Sequence, residues 1–301
     1  MTGLHRGGST WSAKVLAAAP GVGYIREPFH PGMSKGVFRA PVKCWYPYVS
    51  CHNQDRYHEP MRETLAFDFA YGSALRQSKT LKDFARVVRD ASHFSRHRRR
   101  NDRAFIKDPF AFFATEWIAQ EFDATVLILL RNPFGFVSSC KRLNWSFSFE
   151  NLLDQPELMR DHLGPYEEAM RRCEKEKGNL LERTALFWKI IFGTISKWHK
   201  AHPDWMLITH EALCEDAHCQ FKELFTALGL TYTDEVASIV GSVSDSGGGE
   251  AKTGQTHTLN RNSKAVARVW RERLSDDEVE CITAITTPEL QEWYPQGFDA
   301  D

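Results

Sequence analysis

The sequence has no apolar run near the roughly 18–20 residues that cross a bilayer, and no signal-peptide pattern. It has no excess of charge either: 38 Lys and Arg stand against 39 Asp and Glu, a formal net charge of −1. That balance argues against a nucleic-acid binder, which carries a broad basic field, and leaves any anion to local charge. Cysteine is sparse and unpatterned. Its seven copies, at 44, 51, 140, 173, 214, 219 and 281, are odd in number and form no Cys-x-x-Cys pair. Neither a zinc ribbon nor a disulfide framework follows, and no His/Asp cluster has metal-ligand spacing. Reduced thiols in a cytoplasm are the expectation. Internal repeats are lacking, and so is the Gly-Lys-[Ser/Thr] element of a Walker loop.

What is present suits a soluble globular protein: 301 residues, 42% apolar and 26% charged. Short apolar runs alternate with helical patterns. Val22–Ile25, Ala104–Ile106, Thr125–Leu130 and Trp205–Thr209 read as buried strands, with Met1–Leu4 as a strand stub. Ser9–Ala19, Phe110–Phe122, Pro133–Leu143, Leu180–Ala201 and Ala217–Leu228 read as helices. Such alternation predicts an α/β fold, a central parallel sheet between helical layers, with ligands at the carboxyl ends of the strands. We expect a single domain over 1–301, with 31–103 as an acceptor-side insertion or lid. Within it Leu81–Phe94 is amphipathic, with Thr80 as N-cap. Ser275 and Glu278 form a capping box that opens Asp276–Ile285. Ser242–Thr258, rich in Ser, Gly and Thr, predicts a loop. A phosphate loop normally follows a strand of about five residues, and here a glycine turn follows Met1 almost at once. The start therefore reads as clipped, with an upstream anchor or signal left open.

Two constellations point to anion binding. His5-Arg6-Gly7-Gly8-Ser9-Thr10-Trp11-Ser12 lies between the strand stub and a helix. Its glycines let backbone N–H groups turn around an anion, Ser9 and Thr10 add hydroxyls at the helix N-terminus, and Arg6 adds a fixed charge. Farther on, Thr125–Leu130 ends in Arg131-Asn132-Pro133, and Ser139 follows about two helical turns later. A guanidinium and a hydroxyl can converge there on a second phosphate. The bland readings are an ordinary strand–turn–helix corner and a serine facing solvent.

Arg6-Gly7-Gly8-Ser9-Thr10-Trp11 resembles the 5′-phosphosulfate loop of sulfotransferases that use 3′-phosphoadenosine-5′-phosphosulfate (PAPS), usually Arg/Lys-Ser-Gly-Thr-Thr-Trp. Gly7 stands in place of the usual serine. The family also carries an arginine at the later strand end and a serine eight residues on, which implies that Arg131 and Ser139 hold the 3′-phosphate. Leu207–Leu213 resembles the family's Tyr-Glu-Asp-Leu strand end, with His210 in place of a tyrosine near the adenine. Asn260-Arg261-Asn262-Ser263, followed by Trp270, resembles a late basic segment that closes over the nucleotide, with Arg261 as a further phosphate contact. The resemblance implies the P-loop-like sulfotransferase fold and PAPS as cosubstrate, with no metal.

Sulfuryl transfer needs a base on the acceptor side and cations on the leaving side. Arg6 suits the second role. For the base, Glu27 is the first choice: Arg26-Glu27-Pro28-Phe29-His30 follows a strand and resembles the Glu-Pro element of bacterial and carbohydrate-acting members. The alternative is a surface glutamate paired with Arg26. His30 is the second choice for base. Lys107 ends another strand and is a candidate contact for the sulfuryl oxygens. Asp108, near the place of a histidine in many relatives, is left as a group that orients Lys107 or as the base itself. Arg96–Arg100 reads as a solvated helix end, or as a basic patch that draws in an anionic glycan. The expected acceptor is a small molecule or glycan, carbohydrate or glycolipid before phenol. The rivals are a P-loop kinase or nucleotide-binding protein, which would need a Walker lysine, and a non-catalytic glycan-binding module that retains the fold.

Overall fold

The structure, a computed structural model, describes residues 1–176, 178–244 and 263–297. It has the α/β class that the strand–helix alternation predicts, with strands in parallel. The chain divides into two compact units. The first comprises Met1–Thr2 and Leu16–Val126, and the second Gly3–Val15 and Leu127–Asp301.

In the first unit, strand β2 (Val22–Arg26) pairs in parallel with β3 (Arg103–Lys107), in a register that sets Arg26 beside Lys107. Both strands therefore deliver polar residues at their carboxyl ends. The core beside them joins Ile25, Phe67 and Phe69 to Val87, Ala91 and Phe94 of the helix Leu81–Arg100, with Ile106 packed against it. Gly23 is required by packing, because a Cβ there would run into the Phe67 ring. The helix starts where expected: Thr80 Oγ1 accepts from Asp83 N at 3.2 Å, and Asp83 closes a capping box. It continues past Phe94 through the basic run. Cations in the last turn complement the helix dipole, and Asn101 ends it in the left-handed region at φ 52°. Two further helices, His58–Leu65 and Tyr71–Gln77, occupy the stretch without a clear pattern. The helix expected over Phe110–Phe122 starts only at Thr115, after a 3-10 turn Phe112–Ala114. The cause is Asp108, whose Oδ1 takes the N–H groups of Phe110 (2.8 Å) and Ala111 (3.3 Å).

The other sheet has the order β1-β4-β5, where β1 is Thr2–Gly3, and β4 (Leu127–Leu130) and β5 (Met206–Thr209) belong to the second unit. β4 and β5 are parallel, and all four residues of β4 are buried, as a central strand requires. The helix Leu180–Ala201 is apolar on most of its circumference. It packs against Pro133–Leu143 and Asp276–Thr286, and Trp188 stacks on Phe192 at 3.9 Å between ring centroids. The Ser275 capping box is present, with Glu278 accepting from Ser275 N at 2.9 Å. Of Ser242–Thr258, residues 242–244 end the helix Asp234–Ser244, and 245–258 lie outside the described residues. Among the described residues no helix is long and apolar enough to cross a membrane.

Candidate active site

The two constellations expected to bind anions lie together in the second unit. The turn after β1 is closed by Gly7 N, which donates to Leu4 O at 3.0 Å. Arg6 at φ 60° and Gly8 at φ 92° both have left-handed backbone, and such a conformation costs a non-glycine residue about 1–2 kcal/mol. That strain aims the loop at the first turn of the helix Ser9–Leu16. Trp11 N and Ser12 N donate to Gly8 O, at 3.1 and 3.4 Å. The N–H groups of Gly8, Ser9 and Thr10 then open the helix, where no intrahelical acceptor exists. Gly8 is fixed by a neighbour as well as by its φ, since a Cβ there would enter the His210 ring. His210 is buried and meets Trp11 edge-to-face at 6.2 Å. Burial, helped by the charge of Arg131, holds its pKa well below the usual histidine value, so it is neutral.

Arg131 follows β4 and reaches this loop. Its guanidinium donates to the carbonyl oxygen of Arg6, and Arg6 Nε donates to Ser139 Oγ at 3.3 Å. Arg6, Arg131 and Ser139 are thus linked by hydrogen bonds, which makes the two expected phosphate sites neighbours. Arg131 is 7% exposed, and its Nε is buried without a hydrogen-bond partner in the protein. Three contacts hold the strand end in place. Trp188 Nε1 donates to Arg131 O at 2.8 Å, Asn132 Oδ1 caps the following helix by accepting from Gly135 N at 2.7 Å, and Asn132 Nδ2 donates to Glu211 Oε1 at 2.5 Å. Burial lowers the pKa of Arg131 and raises that of Glu211, while the charge of each opposes the shift of the other. His5 fills the space behind the loop, between Phe136, Trp145 and Phe187. Burial, then the charge of Arg6, lowers its pKa to about 3.

The acceptor-side candidates lie together in the first unit. Glu27 N continues the strand pairing by donating to Lys107 O at 2.9 Å, and its φ of 47° turns the chain sharply. Lys107 Nζ donates to Glu27 Oε1 in an ion pair whose side chains are 4% and 13% exposed. Arg26 Nε stands farther off, 3.6 Å from Glu27 Oε2, and is mostly exposed. Glu27 is therefore oriented by Lys107 more than by Arg26. Burial pushes its pKa up, but the charge and hydrogen bond of Lys107 outweigh it and leave the carboxyl below its usual range.

The other two base candidates are tied into the fold. Asp108 Oδ2 accepts from Phe29 N at 2.6 Å, and Oδ1 takes the two N–H groups already described. Burial lifts its pKa to about 7 against the pull of these donors. With both oxygens occupied, Asp108 clamps the Glu27–His30 turn to the end of β3, and Glu27 rather than Asp108 orients Lys107. His30 Nδ1 accepts from Gly32 N at 2.9 Å. Burial lowers its pKa, so the neutral ring carries its proton on Nε2 and presents a donor. His30, Trp45 and Phe110 meet edge-to-face, at 4.8 Å for His30–Trp45 and 4.6 Å for Trp45–Phe110.

Arg261 lies outside the described residues. Trp270, quoted with it, is buried and stacks on Phe134 at 4.7 Å. Sequence reasoning assigned no role to Glu211, Trp188 or His5. Glu211 and His5 lie inside the motifs described above, but their parts, like that of Trp188, depend on pairings far apart in the chain.

Comparison with known proteins gives a family model, described as Sulfotransferase family, that matches residues 1–234. No curated protein matches. Two solved structures are similar. The sulfotransferase domain from the Synechococcus PCC 7002 olefin synthase is 14% identical, with 94% of this chain and 92% of that one covered and a TM-score of 0.43. The sulfotransferase domain from the curacin biosynthetic pathway is 12% identical, with 94% and 97% covered and a TM-score of 0.45.

Proposed function

The chain belongs to the sulfotransferase family, and from that premise we propose that it transfers the sulfuryl group of PAPS to the hydroxyl of a carbohydrate or glycolipid. The observation that carries the choice of donor is the cluster of Arg6, Arg131 and Ser139 beside an open helix N-terminus. Two guanidinium groups, a serine hydroxyl and a row of backbone N–H groups suit a ligand with phosphate at both ends. On this reading the Gly8–Thr10 N–H groups and Arg6 take the 5′-phosphosulfate, and Arg131 and Ser139 take the 3′-phosphate. The unpartnered Arg131 Nε fits that role, because a buried donor left without an acceptor is costly.

The chemistry is an in-line displacement. The acceptor oxygen forms a bond to sulfur while the bond from sulfur to the bridging phosphate oxygen breaks. The hydroxyl proton passes to Glu27, and the charge that builds on the leaving phosphate is met by Arg6. Lys107 orients Glu27 and neutralises charge on the sulfuryl oxygens. His30 donates from Nε2 to the acceptor. The half-buried Trp45 beside His30 supports a sugar acceptor, whose C–H faces pack on aromatic rings. A cytoplasmic location belongs to the same proposal and rests on the free cysteines. A screen of sugars, glycolipids and phenols with PAPS, read as mass gain on the acceptor, tests it. Sulfated sugars or glycolipids are expected. Transfer to phenols alone would overturn the acceptor class, and no transfer from PAPS to any of them would overturn the donor.

A further inference from the structure

A feature of the first unit takes no part in this chemistry. Among the described residues, the large apolar side chains that stand exposed fall within one short stretch: Tyr71, Leu75, Leu81, Phe84 and Val88, at 52%, 49%, 90%, 53% and 52% exposure. They belong to two helices in contact, Tyr71–Gln77 and Leu81–Arg100. At 3.6 residues per turn, Leu81, Phe84, Val88, Ser92, Ser95 and Arg99 form a single row along the longer helix. Arg96 and Arg100 flank the row at its C-terminal end. There Tyr71, Val88, Ser92, Ser95 and the three arginines line a groove of about 630 Å³.

The charge on this face is one-sided. Arg98 is paired with Asp68 at 2.7 Å, and Arg86 and Arg89 with Asp83 and Asp90. Among the described residues, no carboxylate lies within ion-pair distance of Arg96, Arg99 or Arg100. A protein of net charge −1 therefore carries a local patch of uncompensated guanidinium beside exposed aliphatic and aromatic side chains. The buried face of the helix, with Val87, Ala91 and Phe94, already serves the core, so the exposed row is surplus to folding.

We propose that this face docks the protein on an anionic lipid bilayer. Surface helices that lie in the headgroup region combine bulky apolar side chains on one face with arginine or lysine beside them. Here Leu81, Phe84, Val88 and Leu75 enter the boundary between headgroups and acyl chains, and Arg96, Arg99 and Arg100 meet the lipid phosphates. Leu81 is almost fully exposed, which suits insertion into a fluid surface better than a fixed pocket in a protein. The proposal concerns where the protein works and is independent of the donor or acceptor assigned above.

The test is co-sedimentation of the whole protein with vesicles, which needs no turnover. Vesicles of phosphatidylcholine with about 30% phosphatidylserine should carry the protein down, pure phosphatidylcholine much less, and added salt should weaken the binding. Leu81→Asp/Phe84→Asp and Arg96→Glu/Arg99→Glu/Arg100→Glu should each lower the partition coefficient at least ~tenfold. All five side chains are exposed, so both variants should melt like the wild type. If one variant fails to fold, the other decides alone. No binding to the anionic vesicles, as expected if an acidic protein is the true partner, would overturn the proposal, and so would binding that a folded variant retains.

Discussion

Glu27 serves two ends at once, and its substitution should separate them. It is the proposed base, and it is also the counter-ion of a lysine only 3% exposed. Glu27→Gln keeps an acceptor oxygen for Lys107 but loses basicity. Turnover should fall at least ~100-fold, while the affinity for PAPS changes by less than about threefold, since the proposed nucleotide contacts lie on other residues. Stability should fall by about 1–3 kcal/mol through the weakened partner of Lys107. The pH dependence follows from the direction of the shift. The folded pKa of Glu27 is lowered, so the wild type's advantage is full above the unfolded carboxylate value and disappears as pH falls through the folded one. Urea melts of both proteins across acid pH would show it, and a gap that widens toward acid would contradict the assignment. For Asp108→Asn the expectation is the reverse balance. The amide cannot accept all three N–H groups, so stability should drop by about 1–3 kcal/mol. Single-turnover rates of the folded fraction should change far less than with Glu27→Gln. A larger rate loss in Asp108→Asn would make Asp108 the base.

At the scale of elements, strand ends and helix starts do the positioning, and they are also what the sequence displays best. Pro133–Leu143 and Leu180–Ala201 have the predicted bounds, because a proline at the first turn and an Asn-x-x-Glu capping box mark their starts. Arg131 and Glu27 are legible for the same reason: each follows a short apolar run, where ligands of parallel sheets gather. The ion pair of Glu27 with Lys107 was not legible, since it joins residues 80 apart. Nor were the short helices between 144 and 178, such as Glu150–Leu153 and Pro156–Leu158, which are too brief to show a period. The proposed phosphate loop carries the sharpest prediction here. Gly8→Ala meets both a φ of 92° and the His210 ring. We expect nucleotide affinity to fall at least ~tenfold, with a stability loss of about 1–3 kcal/mol. Calorimetric titration and thermal melts would measure both, and near-wild-type affinity would mean that the loop does not hold the ligand.

For the whole molecule, a near-neutral sum hides strong local fields. The cations beside the proposed donor site are side chains fixed by the fold, with Arg131 buttressed by Trp188, Asn132 and Glu211. Charge neutralisation by guanidinium groups predicts that excess chelator leaves transfer almost unchanged. Loss of activity with chelator, restored by magnesium, would favour phosphoryl over sulfuryl chemistry. The most direct test of the account is the affinity for the desulfated nucleotide, which requires no knowledge of the acceptor. Charge-assisted hydrogen bonds to a 3′-phosphate are worth roughly 1.5–3 kcal/mol each, and about 1.4 kcal/mol is tenfold in affinity. Isothermal titration should therefore show 3′-phosphoadenosine-5′-phosphate binding at least ~tenfold tighter than 5′-AMP, with Arg131→Ala removing the difference; equal affinities in the wild-type protein would contradict the account.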